Sequence, residues 1–174
     1  MSALRTDPSA RLQAHGLRLD LPLRWEARIY LRDAPDPAAG TSGVHPAAYG
    51  WPGELPNPVA HLANFALPPG RGDFGTGAVE RMRAGHVFLS LVEYDASEAH
   101  RPLFASLGVP RPAAHEFSPA ALQRQVPGQG GWQRFFTVAE RAFCLYIVLG
   151  SLARAAAHVP EINRVLDGVA VISR

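Results

Sequence analysis

Gly70, Gly72 and Gly75 stand at the spacing G-x-G-x-x-G. That spacing lets a backbone turn tightly beneath a dinucleotide pyrophosphate. The glycines follow a strand-like run and precede a short helix-like piece, and Glu93 closes the next strand-like run. An acidic residue in that place would meet a ribose hydroxyl. Two features oppose this chemistry. Pro68 and Pro69 separate strand from glycines, and Ala78 to Arg83 supplies under two helical turns. A crossover between parallel strands needs a dozen or more residues. The competing reading is a connection that uses glycine for positive φ. If the chain binds a nucleotide or another small molecule, the Gly70–Gly77 loop is the expected site. Arg71, Gly72 and Gly75 would then be its anion-binding residues.

Other reactive residues lack a working spacing. The histidines at 15, 45, 61, 86, 100, 115 and 158 show neither H-x-x-x-H nor H-x-H, so no metal ligand is assigned. His61 lies mid-strand among apolar neighbours with Asn64 three residues on, which reads as a hydrogen-bonded core or sheet-edge histidine in preference to a general base. Cys144 sits inside the apolar run Phe143 to Leu149, which reads as a buried, inert thiol. There is no G-x-S-x-G. All 17 basic residues are arginine, so a Schiff-base or P-loop lysine is excluded. No catalytic residue, metal or cofactor is expected, and the balance falls against an enzyme.

The strongest functional expectation rests on a segment without periodicity. Asp33 to Asn57 carries prolines 35, 37, 46, 52 and 56 and glycines 40, 43, 50 and 53. Loops of that length inside compact domains are uncommon and often functional. Tyr49 and Trp51 lie within it. Aromatic side chains supply buried area in interfaces, and proline lowers the entropy lost on docking. The expectation is a non-enzymatic protein-interaction module whose partner surface includes Tyr49 and Trp51, with a homo-oligomer left open. In the bland alternative, these aromatics pin the loop to its own domain.

The elements that would carry such a surface are legible in part. Leu17, Leu19 and Leu21 alternate with Arg18 and Asp20, and Trp25, Ala27, Ile29 and Leu31 alternate with polar residues, as half-buried strands do. Pro22-Leu23 reads as the turn between them. Val59 to Leu67 and His86 to Tyr94 are apolar on both faces, which suits central strands. Trp132 to Val138 and Ala142 to Leu149 read as a hairpin with a three-residue turn, Ala139-Glu140-Arg141. A helix over Pro160 to Asp167 follows, with Pro160 in its first turn and Gly168 at its end. The predicted fold is an α/β (α+β) sandwich: a mostly antiparallel six-stranded sheet with the C-terminal helix packed on it. Residues 1–16 are expected to be a flexible N-terminal segment and 17–174 a single domain. Trp25, Ile29, Leu62, Phe88, Leu89, Leu91, Phe136, Leu145, Ile147, Ile162, Val165 and Leu166 should form its core.

Length and composition agree with one globular domain, since 47% of the 174 residues are hydrophobic and 18% charged. The net charge is only +2. The arginines are interleaved with acids, so no nucleic-acid stripe is expected. No apolar run approaches the ~20 residues of a membrane span. The first residues carry charges at Arg5, Asp7 and Arg11 without an apolar core, unlike a secretory signal. With one cysteine, a cytoplasmic location is the expectation.

The run Leu19-Asp20-Leu21-Pro22-Leu23-Arg24-Trp25 resembles the P-x-x-W opening of the Mog1/PsbP-like superfamily. The Val87–Val92 strand, the Phe135–Leu149 hairpin and the closing helix are similar to that group in order. The resemblance is topological, spans about residues 17 to 172, and has no specific motif. It implies an antiparallel sheet between helical layers and a non-enzymatic binding module. Members include a nuclear-transport GTPase-binding factor, photosystem subunits and mycobacterial lipoproteins. The long Pro/Gly loop and the lack of a lipobox depart from the lipoprotein branch. The chain also looks like uncharacterised proteins of actinobacterial type, from which no functional residue is carried over.

Overall fold

Leu17, Leu19 and Leu21 point inward and Arg18 and Asp20 are half-buried, the alternation a one-sided strand requires. In the structure, a computed structural model that describes residues 10–32 and 57–172, this is strand β2 (Leu17–Leu21), following β1 (Ala10–Ala14). The two pair antiparallel across His15-Gly16, whose φ angles are 50° and 74°. Positive φ at both positions gives the primed turn that matches strand twist. The short strand β8 (Val169–Val171) pairs with the other edge of β2.

The second sheet contains β3 (Glu26–Leu31), β4 (Pro58–Ala63), β5 (Val87–Glu93), β6 (Gly130–Val138) and β7 (Arg141–Leu149). Its order is β3-β4-β5-β7-β6, antiparallel throughout. Helix α1 (Ala155–Asp167) joins β7 to β8. Its buried Ile162, Val165 and Leu166 share one core with β2 and the inner face of the larger sheet, including Leu62, Leu89, Leu91, Leu145 and Ile147. Each such side chain contributes about 1.5–3 kcal/mol on burial. A smaller core forms on the outer face, where Phe88, Tyr146 and Val148 meet Ala78 and Val79 from the segment after β4.

The expected α+β sandwich with a C-terminal helix is therefore the observed class, with corrections of detail. Among the described residues there are eight strands in two sheets, not six in one. Strands β2 and β3 do not pair with each other; each belongs to a different sheet. Ala10–Ala14, read as part of a flexible N-terminal segment, is a strand. The β6–β7 turn has two residues, Ala139 and Glu140, at φ 49° and 58°, and Arg141 opens β7. Helix α1 begins at Ala155 and holds Pro160 in its interior. The carbonyl that would accept the missing proline N–H belongs to Ala156, an exposed residue that water reaches. Gly168 has φ −84°, so it is not a left-handed cap. It is required because a Cβ there would lie 2.1 Å from the Asp20 carbonyl oxygen. Every residue expected in the core is buried except Ile29, which packs against it half-buried.

Arg141 ties the two sheets together. Its Nε donates to Glu93 Oε1 at 2.9 Å and its Nη2 to Oε2 at 2.6 Å. The same guanidinium donates to Gly16 O at 2.7 Å, Ile172 O at 3.2 Å and His15 O at 3.1 Å. The planar five-donor fork suits that task; an ammonium would not.

Candidate functional site

The register of the larger sheet lines up one polar row across its outer face: Arg28, His61, Ser90, Tyr146 and Gln133 are successive cross-strand partners. Four of the five strands place mainly apolar residues on either side of this row, so a buried histidine and serine at its centre need partners. The Gly70–Gly77 loop supplies them. The Asp73 carbonyl oxygen accepts from His61 Nε2 at 2.9 Å and from the Ser90 hydroxyl. The Asp73 carboxylate accepts from Tyr30 OH at 2.9 Å and lies 4.0 Å from Arg32 Nε. Arg71 Nε donates to His61 Nδ1 at 3.0 Å, and Arg71 Nη1 donates to the Pro68 carbonyl. The loop is thereby bonded to β3, β4 and β5 together.

Serine, histidine and aspartate meet here, the residue types of a nucleophile–base–orienter set. Their bonds are different. Arginine can only donate, so Arg71 fixes His61 Nδ1 as an acceptor and leaves Nε2 carrying the hydrogen. That hydrogen goes to a main-chain carbonyl, not to Ser90. Ser90 donates to the same carbonyl, and the Asp73 carboxylate points to Tyr30 instead of the imidazole. Neither ring nitrogen has a free lone pair with which to take a proton from Ser90. His61 and Ser90 are also fully buried. The set clamps a loop.

Burial, reinforced by the nearby Arg71 charge, pushes His61 down to about 4. The Tyr30 hydroxyl is raised by burial first and by the Asp73 charge second. Burial likewise pushes Tyr94 up to about 12 and Cys144 up to about 11. Cys144 accepts a hydrogen bond from Gln133 Nε2 at 3.2 Å, and its thiol carries no nucleophilic character near neutrality.

The clamp has a consequence for stability. His61 is held neutral when folded and titrates near 6.5 when unfolded. Between pH 6.5 and about 4 the unfolded chain therefore binds the extra proton, and folding stability falls as pH falls through that window. The contribution is on the order of 3 kcal/mol, fully present above about pH 6.5. Urea unfolding of wild type and His61→Gln across the window checks this. The wild type should lose up to about 1.4 kcal/mol more per pH unit than the variant, and equal slopes would contradict it.

Arg71, Gly72 and Gly75 are in the clamped loop, on the outer face. The backbone groups of the two glycines serve the loop itself: Gly72 N–H donates to Thr76 O at 3.0 Å and Gly75 N–H to Gly72 O at 2.8 Å. The N–H groups of Ala78 and Val79 both donate to Gly75 O, and Gly77 N–H reaches Glu80 Oε2. Glu93 is on the opposite face with Arg141, away from the glycines. The strands flanking the loop, β4 and β5, are antiparallel neighbours. Tyr49 and Trp51 lie outside the described residues. The clamp residues Tyr30, Asp73 and Ser90 carry no signal in the sequence, because a main-chain carbonyl makes the central contact.

Two further features complete the described surface. An open depression of about 430 Å3 lies beside the β6–β7 turn, lined by Ala99, His100, Leu107, Thr137 and Glu140 among others. Among the described residues no three His, Cys, Asp or Glu side chains are grouped to hold a metal ion, and no helix is long and apolar enough to cross a membrane. Comparison of the chain with protein-family models, with curated proteins and with solved structures finds no match in any of the three.

Proposed function

We propose that this protein is a non-enzymatic protein-interaction module that presents residues 33–57, with Tyr49 and Trp51, to a protein partner or a second copy of itself, in a cytoplasmic setting. The observation that carries this reading is the bonding of the outer-face cluster: its histidine, serine and aspartate are engaged in holding the Gly70–Gly77 loop. The base of the presented segment is correspondingly firm. Arg32 N–H donates to Asn57 O at 3.4 Å, so both ends of the segment leave from one point at the end of β3 and β4. The Arg32 side chain donates to the Glu93 carbonyl and its guanidinium lies 5.9 Å from the centre of the Tyr94 ring. A rigid base that emits a proline-rich, aromatic segment suits display. The Mog1/PsbP-like resemblance points the same way. A nucleotide or small-molecule site on the Gly70–Gly77 loop is the weaker reading, because the N–H groups of Gly72 and Gly75 are already bonded within the loop.

The test compares wild type, a double variant Tyr49→Ala/Trp51→Ala, and a chain with residues 34–55 replaced by a short Gly/Ser linker. Each is used as bait for quantitative affinity purification from the native host, and self-association is read by light scattering. Loss of a specific partner, or of self-association, in both variants while the fold is retained is the expected outcome. Identical capture by all three baits, or none above background by wild type, contradicts the reading.

A further inference from the structure

Arg28 and Arg71 both neighbour His61. Arg28 is the direct cross-strand partner of His61, and Arg71 Nε bonds His61 Nδ1 at 3.0 Å. Neither guanidinium takes part in any ion pair among the described residues. The nearest acid in the cluster, Asp73, is turned to Tyr30 and Arg32. Both side chains are oriented by main-chain oxygens: Arg28 Nη1 donates to Ala27 O at 2.8 Å and Arg71 Nη1 to Pro68 O. Among the described residues these bonds leave Arg28 Nε and Nη2 and Arg71 Nη2 with donors to offer. The two cations feel each other, since Arg28 adds to the burial that lowers the Arg71 pKa. His61 cannot relieve the repulsion, because its own hydrogen is committed to Asp73 O.

We propose that Arg28 and Arg71 form a site for one oxyanion, a carboxylate or a phosphoryl group, at the β3 side of the sheet. Guanidinium forks are shaped for such groups and bind them in pairs of parallel hydrogen bonds. The site uses side-chain donors on β3 and the loop. It does not use the N–H groups of Gly72 and Gly75, and it stands independently of the role proposed for residues 33–57. The bonds to Pro68 and His61 already hold the Arg71 fork, which lessens the side-chain entropy it loses on binding.

The experiment titrates the full chain with sodium phosphate and, separately, with sodium acetate at constant ionic strength, reading thermal midpoint and the arginine Nε–H resonances. Arg28→Gln is the informative variant, since Arg28 is exposed and makes no bond to the loop. Arg83→Gln, an exposed arginine elsewhere, is the control. Saturable binding that moves the Arg71 resonance, weakened about tenfold or more in Arg28→Gln and unchanged in Arg83→Gln, is the expected result. A response to phosphate alone assigns the site to phosphoryl compounds, and a response to acetate as well assigns it to carboxylates such as acidic side chains of a partner. A response that does not saturate, or one equal in wild type and Arg28→Gln, overturns the proposal.

Discussion

Replacing Arg141 by Met should cost about 3–5 kcal/mol of folding stability, the range for removing one partner of a buried ion pair. Arg141 and Glu93 are 9% and 4% exposed, so water replaces little of what is lost. The substitution also takes the donor from the carbonyls of His15, Gly16 and Ile172, which lie on the smaller sheet or at its end. The effect should therefore exceed that of an ordinary surface arginine by several-fold. Urea denaturation provides the measurement. The double variant Arg141→Met/Glu93→Gln should lose less than the sum of the single changes, because the carboxylate charge is then gone as well. A single-variant loss below about 1 kcal/mol would mean the pair does not hold the sheets together.

The second large effect separates two readings of the same glycines. A dinucleotide site would need Gly70, Gly72 and Gly75 alike. The loop clamp needs Gly75, whose φ is +86° and whose added Cβ would meet the Phe88 ring at 2.4 Å. A left-handed backbone costs an L-residue about 1–2 kcal/mol, and overpacking adds about 1–3. Gly75→Ala should then destabilise by about 2–5 kcal/mol. Gly72→Ala places a Cβ no closer than 3.4 Å to Thr76, and Gly70→Ala meets nothing within 4 Å. Both should stay within about 0.5 kcal/mol of wild type. Thermal unfolding of the three variants decides, and equal losses at all three would favour a motif that uses every glycine.

The alternation in Leu17–Leu21 and the doubly apolar Phe143–Leu149 run are legible because burial imposes period two or removes it. Strand β1 escaped because Ala10–Ala14 is an edge strand with exposed and half-buried residues only, so no alternation marks it. Strand β8 escaped because Val169 continues the apolar stripe of α1. The start of α1 escaped because Pro160 reads as a boundary, whereas its lost bond falls on an exposed turn. For the site, the glycine spacing drew attention to the right loop for a different reason. His61 and Ser90 come together only through the β4–β5 register. What joins them is the carbonyl of Asp73, an atom every residue has, so no residue pattern could announce it.

The histidine, serine and aspartate of the outer face hold a loop and are not bonded as a nucleophile–base–orienter set. The state of the His61 imidazole tests it most directly, by nitrogen-resolved NMR from about pH 8 down to about pH 4. The expected result is a neutral ring with hydrogen on Nε2 and Nδ1 unprotonated, unchanged to about pH 5 and titrating near 4. An imidazole that titrates near its ordinary value of about 6.5, or that carries its hydrogen on Nδ1, would contradict it.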